Sequence, residues 1–186
     1  LHGDDYVLPG FYGKLTAAAQ AHPDLAFFAS RSFFVDEEGI IFDVTPRVQR
    51  LETGGTAAND FFYANPIQTP GVVVRRSFYE RHGGFLPPLV HTADCEMWTR
   101  CISRAGGMVL PDVLCCYRFF AANDSGRLAR TAENLRDHGR LYSIFSQRHG
   151  DFVPMKGLQR LALQARFQIE RFQKKGDQEA VAANLA

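Results

Sequence analysis

The sequence carries almost no net charge, since its 186 residues include 21 lysines and arginines against 20 aspartates and glutamates. Proteins that bind nucleic acid by neutralising phosphates usually present a strongly basic face, so this balance argues against a nucleic-acid partner. A long apolar run is also missing, because the best stretch, Val109 to Phe120, is interrupted by Pro111, Asp112 and Arg118. A membrane-spanning helix needs roughly 18 or more apolar residues. These absences predict a soluble protein.

Cysteine is scarce as well. The four cysteines are Cys95, Cys101, Cys115 and Cys116. No two of them have the CxxC spacing of zinc sites and redox pairs, and buried free cysteines are typical of reducing compartments. We therefore expect buried thiols in a cytoplasmic protein, with the inner face of a membrane as a second possible location.

The first 120 residues alternate between helical and strand patterns. A helix is predicted from Pro9 to Ala21 with the proline at its first position, and Leu25–Val35 with Ile40–Val44 has the pattern of a hairpin. A loop is predicted over 45–66, with a short helix near Asn59–Tyr63, and it is followed by a strand over Pro70–Arg75. The next predicted elements are a helix over Ser77–His82 that ends at Gly83-Gly84, a helix from Asp94 to Ala105, and a strand over Met108–Phe120. This alternation predicts an α/β fold.

The last third of the chain has the periodicity of helices. One apolar stripe consists of Leu128, Ala132, Leu135, Tyr142 and Phe145. A second consists of Leu158, Leu161, Ala162, Ala165, Ile169 and Phe172. Both stripes are assigned to packing. We expect residues 1–125 to form one domain and the helices of 126–186 to pack on it.

Two adjacent acids, Asp4 and Asp5, precede the first predicted helix. Neighbouring carboxylates repel each other unless a cation or a helix N-terminus stabilises them. Mg²⁺ and Mn²⁺ take oxygen ligands of this kind, often one or two carboxylates together with substrate phosphates. The pair is therefore either part of a divalent-metal site or a cap on the turn into the helix.

Asp94 is a second candidate, because it shares a helix face with the apolar Trp98 and Cys101. At the first turn of a helix the dipole favours an ionised carboxylate, which can accept a proton. The alternative is an ordinary N-cap aspartate. Glu96 points away from this face and is expected to be solvated.

Arg118 follows Tyr117 at the end of a predicted strand. A guanidinium presents a fork of donors that matches phosphate oxygens. Arg118 is therefore a candidate for pairing with a diphosphate, and a surface ion pair is the alternative.

Four segments resemble, in the same chain order, the motifs of family-2 glycosyltransferases of the GT-A fold. They are Leu-His-Gly-Asp-Asp-Tyr-Val-Leu-Pro-Gly at the start, Asn65–Pro70 with Val72–Arg76 and Gly83-Gly84-Phe85, Thr92–Arg100, and Tyr117-Arg118. In the family these correspond to the metal-binding segment, the acceptor-side strand and turn, the segment of the catalytic base, and the following strand end. The resemblance covers residues 1–125, and the shared order is more specific than any one motif.

The resemblance implies a partial GT-A-like, Rossmann-related fold with a helical tail. It also implies an inverting transfer of a sugar from a nucleotide-diphosphate donor to an acceptor hydroxyl, with Mn²⁺ or Mg²⁺ as cofactor. Asp4 and His2 would ligate the metal, and Asp5 and Arg118 would support the donor diphosphate. Asp94 would be the general base.

On the acceptor side the resemblance points to Thr69, Gly84 and Trp98. The acceptor would be a saccharide or a lipid-linked molecule, in the assembly of surface polysaccharides or glycoconjugates. Peripheral membrane association of the tail fits such a setting.

The chain departs from the family pattern at three places. His2 stands where the family has the first acid of its metal motif, Ala93 replaces the acid before the base, and Phe119 and Phe120 stand where a histidine often occurs. The family's nucleotide-binding half would precede Leu1. We expect that half to be a partner in the same polypeptide, and the isolated chain to be inactive with an unpaired sheet edge.

Two other functions remain open from the sequence. A catalytically degenerate relative that binds saccharide or a protein partner is compatible with the three departures. A metal-dependent phosphoesterase or nucleotidyltransferase could use the same acids near the start.

Overall fold

The computed structural model describes residues 3–47, 61–120 and 123–186. The chain divides into two compact units. The sheet unit comprises Leu1–Gly84 and Met97–Phe119, and the helical unit comprises Phe85–Glu96 and Phe120–Ala186. This division differs from a linear one at residue 125, because segment 85–96 groups with the C-terminal helices.

The sheet unit is built on a five-stranded mixed sheet. Its strands are β1 (Tyr6–Val7), β2 (Phe27–Val35), β3 (Ile41–Val44), β4 (Val72–Val74) and β5 (Gly107–Arg118). The order is β1-β5-β2-β3, with β4 also pairing with β2. The β2/β5 pair is parallel and the other pairs are antiparallel. The expected α/β class is confirmed at this level.

The strand β2 is central because its side chains are buried on both faces of the sheet. Phe27 and Ala29 belong to one apolar cluster, and Phe28 belongs to another. Successive strand residues point to opposite faces, so the alternation distributes them between two helical layers. The longer helices among the described residues of this unit are α1 (Phe11–Ala21), α2 (Arg76–His82) and the Met97–Ala105 part of α3 (Ala93–Ala105). Trp98 of α3 contributes to the first cluster and Leu15 of α1 to the second.

The helix α1 begins at Phe11, so the predicted start at Pro9 is wrong. Gly10 precedes the helix with φ of 88°, and the cap makes no side-chain hydrogen bond. Glycine adopts this left-handed conformation without steric cost, and it turns the chain between Pro9 and the helix. The alternative that Asp4 and Asp5 cap this helix is therefore wrong. Phe11 and Leu15, one turn apart, are its buried residues.

The predicted hairpin is confirmed, since β2 pairs antiparallel with β3. Its turn is stabilised by Asp36, whose carboxylate accepts the backbone N–H of Ile40 at 2.7 Å. The predicted strand over Pro70–Arg75 is shorter, because a 3₁₀ turn over Thr69–Gly71 precedes β4. In the predicted loop, 48–60 lie outside the described residues, and Phe61–Tyr63 are helical.

The helical unit contains α4 (Asp124–Arg130), α5 (Glu133–Arg148), α6 (Pro154–Lys174) and α7 (Gln178–Leu185). The first predicted stripe is buried as expected. The second is confirmed in part: Phe172 is buried and Ile169 packs in the same apolar cluster, but Leu158 is 55% exposed and Ala162 is also exposed. The other buried residues of α6 are Gly157 and Gln168. A Cβ at Gly157 would lie 2.9 Å from Cζ of Phe152. The missing side chain permits this close approach and turns the buried face of α6 away from Leu158.

All four cysteines are buried and free, as expected. The Cys115 thiol lies 3.0 Å from Oγ of Ser32, and burial raises the pKa of this thiol. Within the described ranges, no helix has the length and apolar character required to cross a bilayer.

Candidate functional site

An acidic turn precedes β1 in the sheet unit. Asp4 lies in the turn and is exposed, whereas Asp5 is only 7% exposed. Oδ1 of Asp5 accepts the backbone N–H of Arg118 at 2.9 Å. This bond holds the turn against the end of β5, where Tyr6 of β1 pairs with Cys116.

Arg118 joins three segments of the sheet unit. Its Nε donates to the carbonyl of Asp4 at 3.1 Å. Its Nη1 donates to the carbonyls of Asp36 and Glu37, each at 2.7 Å. The acidic turn, the β2–β3 turn and the end of β5 are therefore fixed by one guanidinium. The structure thus brings Asp4, Asp5 and Arg118 together, as a shared site requires.

The exposed carboxylate of Asp4 has the chemistry that the implied metal would require. An exposed carboxylate is an oxygen ligand, and Mg²⁺ is commonly held by one or two carboxylates while substrate phosphates complete its shell. His2 lies outside the described residues. Among residues 3–47, 61–120 and 123–186, no cluster of three or more His, Cys, Asp or Glu side chains could hold a metal by itself.

Asp94 lies in the first turn of α3 and belongs to the helical unit. The helix begins at Ala93, so Asp94 is not the N-cap residue. Its carboxylate is partly exposed, and Oδ1 accepts the backbone N–H of Cys95 at 2.7 Å. The positive end of the helix dipole favours a negative charge at this position. Asp94 therefore presents a partly exposed carboxylate at the start of a helix.

The expectation that Glu96 is solvated is wrong. This residue is 1% exposed, and Oε1 lies 3.7 Å from Nη1 of Arg148 on α5. All residues of α3 from Cys95 to Ile102 are buried, so this helix has no solvated face over two turns. A buried carboxylate requires a nearby positive charge or hydrogen bonds, and Arg148 supplies the charge.

The glycine turn after α2 is held by Arg100, whose side chain is almost completely buried. Arg100 donates to the carbonyls of His82 at 2.6 Å, Gly83 at 3.1 Å and Gly84 at 2.7 Å. Gly83 has φ of 79°, a conformation that favours glycine. Gly84 is exposed beside it, and Thr69, the first residue of the 3₁₀ turn, is partly exposed. Both of these expected acceptor-side residues are accessible in the sheet unit.

Trp98 is in a different situation from the other two acceptor-side candidates. Its side chain is 3% exposed, and its ring lies 5.4 Å from that of Phe27. The indole is therefore part of the core of the sheet unit, and Thr69 and Gly84 are the candidates that a solute can reach.

Sequence reasoning missed Arg100 and Asp137, which organise the segments around these candidates. Asp137 is completely buried on α5, four residues before the buried Leu141 and eight before the buried Phe145, on the same helix face. An acid on an apolar helix face is the pattern that also singles out Asp94, so the sequence carries this signal for Asp137 too. Arg100 likewise lies between the apolar pairs Met97-Trp98 and Cys101-Ile102 of α3.

The comparisons with known proteins add no relative to this description, because no family model and no curated protein matches the chain.

Proposed function

We propose that the chain is the acceptor-side part of an inverting glycosyltransferase of family 2, with the GT-A variant of the α/β fold. The observation that carries the proposal is the construction of the acidic turn. Asp5 is buried and bonded to the backbone of Arg118, while Asp4 stays exposed. The turn therefore has one carboxylate that supports the structure and one that is available to bind, which is the division of roles that the motif resemblance implies.

In the proposed reaction an acceptor hydroxyl attacks the anomeric carbon of a nucleotide-diphosphate sugar. Asp94 takes the proton of that hydroxyl while the new C–O bond forms. The bond from the anomeric carbon to the diphosphate oxygen breaks, and its electron pair leaves with the nucleoside diphosphate. A bound Mn²⁺ or Mg²⁺ supplies positive charge that stabilises this leaving group.

The chain's own residues have separate tasks in this scheme. Asp4 offers its carboxylate to the metal, with His2 as a second ligand. Asp5 and Arg118 hold the turn that carries Asp4, and Arg118 is also the candidate contact to the diphosphate. Thr69 and Gly84 line the acceptor side.

The wider setting is part of the same proposal. The acceptor is a saccharide or lipid-linked hydroxyl in surface-polysaccharide synthesis, at a cytoplasmic location with peripheral membrane association. A nucleotide-binding half in the same polypeptide would hold the base and ribose of the donor.

The test measures nucleoside diphosphate released by the complete protein that contains this chain, with a panel of nucleotide sugars, mixed glycan acceptors and Mn²⁺ or Mg²⁺. Asp94→Asn should lower kcat by about 100-fold or more, since a positioned base contributes about 10²- to 10⁴-fold. Asp4→Asn should abolish the metal-dependent rate.

Each variant has a matched control. Asp124 lies in the first turn of α4 and is exposed, so Asp124→Asn removes an equivalent charge and should leave the rate unchanged. Asp24→Asn does the same for the exposed Asp4 in the sheet unit. Release of phosphate or pyrophosphate instead would identify a phosphoesterase or nucleotidyltransferase. Glycan binding without any release would identify a degenerate binding module, and either result overturns the proposal.

A further inference from the structure

Asp137 of α5 binds the segment that leads into α3. Its side chain is completely buried, with a relative exposure of 0%. Oδ2 accepts the backbone N–H groups of His91 and Thr92, each at 2.8 Å, and the hydroxyl of Thr92 at 2.9 Å. Oδ1 accepts the backbone N–H of Val90 at 3.2 Å. Three consecutive amides thus converge on one carboxylate within the helical unit.

This arrangement is suited to an ionised carboxylate. Burial raises the pKa of Asp137, but the hydrogen bonds from Thr92, His91 and Val90 outweigh it and hold the pKa below its ordinary value. Nη1 of Arg140, one turn along α5, lies 3.2 Å from Oδ1 and supplies a positive charge. Charge-assisted hydrogen bonds of this kind are stronger than neutral ones, so the contact fixes the three residues firmly.

The fixed segment determines where α3 begins. The carbonyl of Thr92 accepts the backbone N–H of Glu96 at 3.0 Å, which is the first bond of the helical turn that contains Asp94. Asp94 is two residues beyond Thr92, so its direction depends on the backbone of Thr92. A change in that backbone would move the carboxylate of Asp94.

We propose that Asp137 is a positioning residue for Asp94, acting through the backbone of residues 90–92. The inference rests on the proposed function, in which Asp94 accepts the proton of the acceptor hydroxyl. Asp137 does not touch the reacting atoms. It holds the base in the direction that proton transfer requires, and small displacements of a reacting group are costly in rate.

The first variant is Asp137→Asn in the complete protein, where one carboxylate oxygen becomes an amide that donates. We expect kcat for nucleoside diphosphate release to fall by about 10- to 100-fold, with KM for the donor unchanged. In the Asp94→Asn background the same substitution should cause no further loss, because its effect passes through Asp94. A general loss of structure would instead lower the rate in both backgrounds.

A second pair of variants, at Thr92, keeps the proposal testable if Asp137→Asn does not fold. Thr92→Val removes the hydroxyl that donates to Asp137 and should lower kcat, whereas Thr92→Ser keeps the donor and should restore it. Asp177→Asn is the matched control, since Asp177 also accepts a backbone N–H, from Ala180 at 3.2 Å, and pairs with Arg130 at 2.7 Å. Its substitution should leave kcat unchanged.

Amide hydrogen exchange separates this inference from the proposed function. In Asp137→Asn the amides of Val90, His91 and Thr92 should exchange faster than in the wild-type protein, whatever the activity. Unchanged exchange, or unchanged kcat in an active enzyme, would overturn the positioning role. If the wild-type protein releases no nucleoside diphosphate, the proposed function fails and the catalytic part of this inference fails with it.

Discussion

Arg100 provides a direct test of what holds the glycine turn in place. Its guanidinium, 7% exposed, donates to the carbonyls of His82, Gly83 and Gly84 at the end of α2. A hydrogen bond to a charged group contributes about 1.5–3 kcal/mol. The sum for three such bonds is an upper limit on the loss of stability. When the guanidinium is removed, the exposed carbonyls of the turn can form hydrogen bonds with water instead, which reduces the loss. For Arg100→Met we therefore expect the free energy of unfolding to fall by about 3 kcal/mol.

The consequence should be visible in thermal and urea unfolding. A loss of that size lowers Tm by about 6–12 °C in a chain of this length. Trp98 is the only tryptophan in the sequence, and it is buried in the sheet unit beside Phe27, so its fluorescence reports on this unit directly. Arg100→Lys should lose roughly half as much, because an ammonium has no fork of donors.

The control is Arg104→Met, which removes the same charge from an exposed position one turn further along α3. Exposed substitutions usually change stability by no more than about 0.5 kcal/mol. If the urea midpoint of Arg100→Met shifts no more than that of Arg104→Met, the reasoning about this turn is wrong.

Two further predictions concern pH and close packing. The rings of His91 and His138 lie 5.7 Å apart, and burial lowers the pKa of both. The unfolded chain then binds protons below about pH 6.5 while the folded rings stay neutral. The urea midpoint should therefore fall as pH drops through this range, and less so in His138→Gln; equal pH dependence in the two proteins would contradict the assignment. A Cβ at Gly71 would lie 2.8 Å from the carbonyl oxygen of Ser30, so Gly71→Ala should cost about 1–3 kcal/mol by urea denaturation. Gly84→Ala, where the added Cβ has no neighbour within 4 Å, is the control, and equal midpoints for the two would refute the steric argument.

Local sequence signals were sufficient for much of the fold. The hairpin could be predicted because two β-rich runs flank a short polar turn, and α3 because apolar residues recur at helical spacing before Gly106. The starting residue of α1 could not be predicted. Proline is common in the first turn of a helix and glycine can precede one, and only the left-handed backbone of Gly10 shows that the helix begins after both residues.

The contacts that organise the candidate site could not be predicted, because they join residues far apart in the chain. The bond between Asp5 and Arg118 spans 113 residues, and those between Asp137 and residues 90–92 span 45 to 47. The hydrophobic periodicity of a sequence does not indicate from which backbone N–H group a carboxylate will accept a hydrogen bond. The face that α6 buries depends similarly on the packing of Gly157 against Tyr142 of α5, where an added Cβ would lie 3.1 Å from a ring carbon.

The parallel pairing of β2 with β5 has a consequence for synthesis of the protein. Phe27 pairs with Gly107, about 80 residues later, so β2 leaves the ribosome well before its main partner exists. At about 5–20 residues per second, the wait lasts on the order of 4–16 seconds. During that time β2 lacks its partner strand β5, and its apolar side chains are not yet covered by it. These side chains include Phe27, Phe28, Phe33 and Phe34. The nascent chain should therefore depend on chaperones more than the finished sheet unit does.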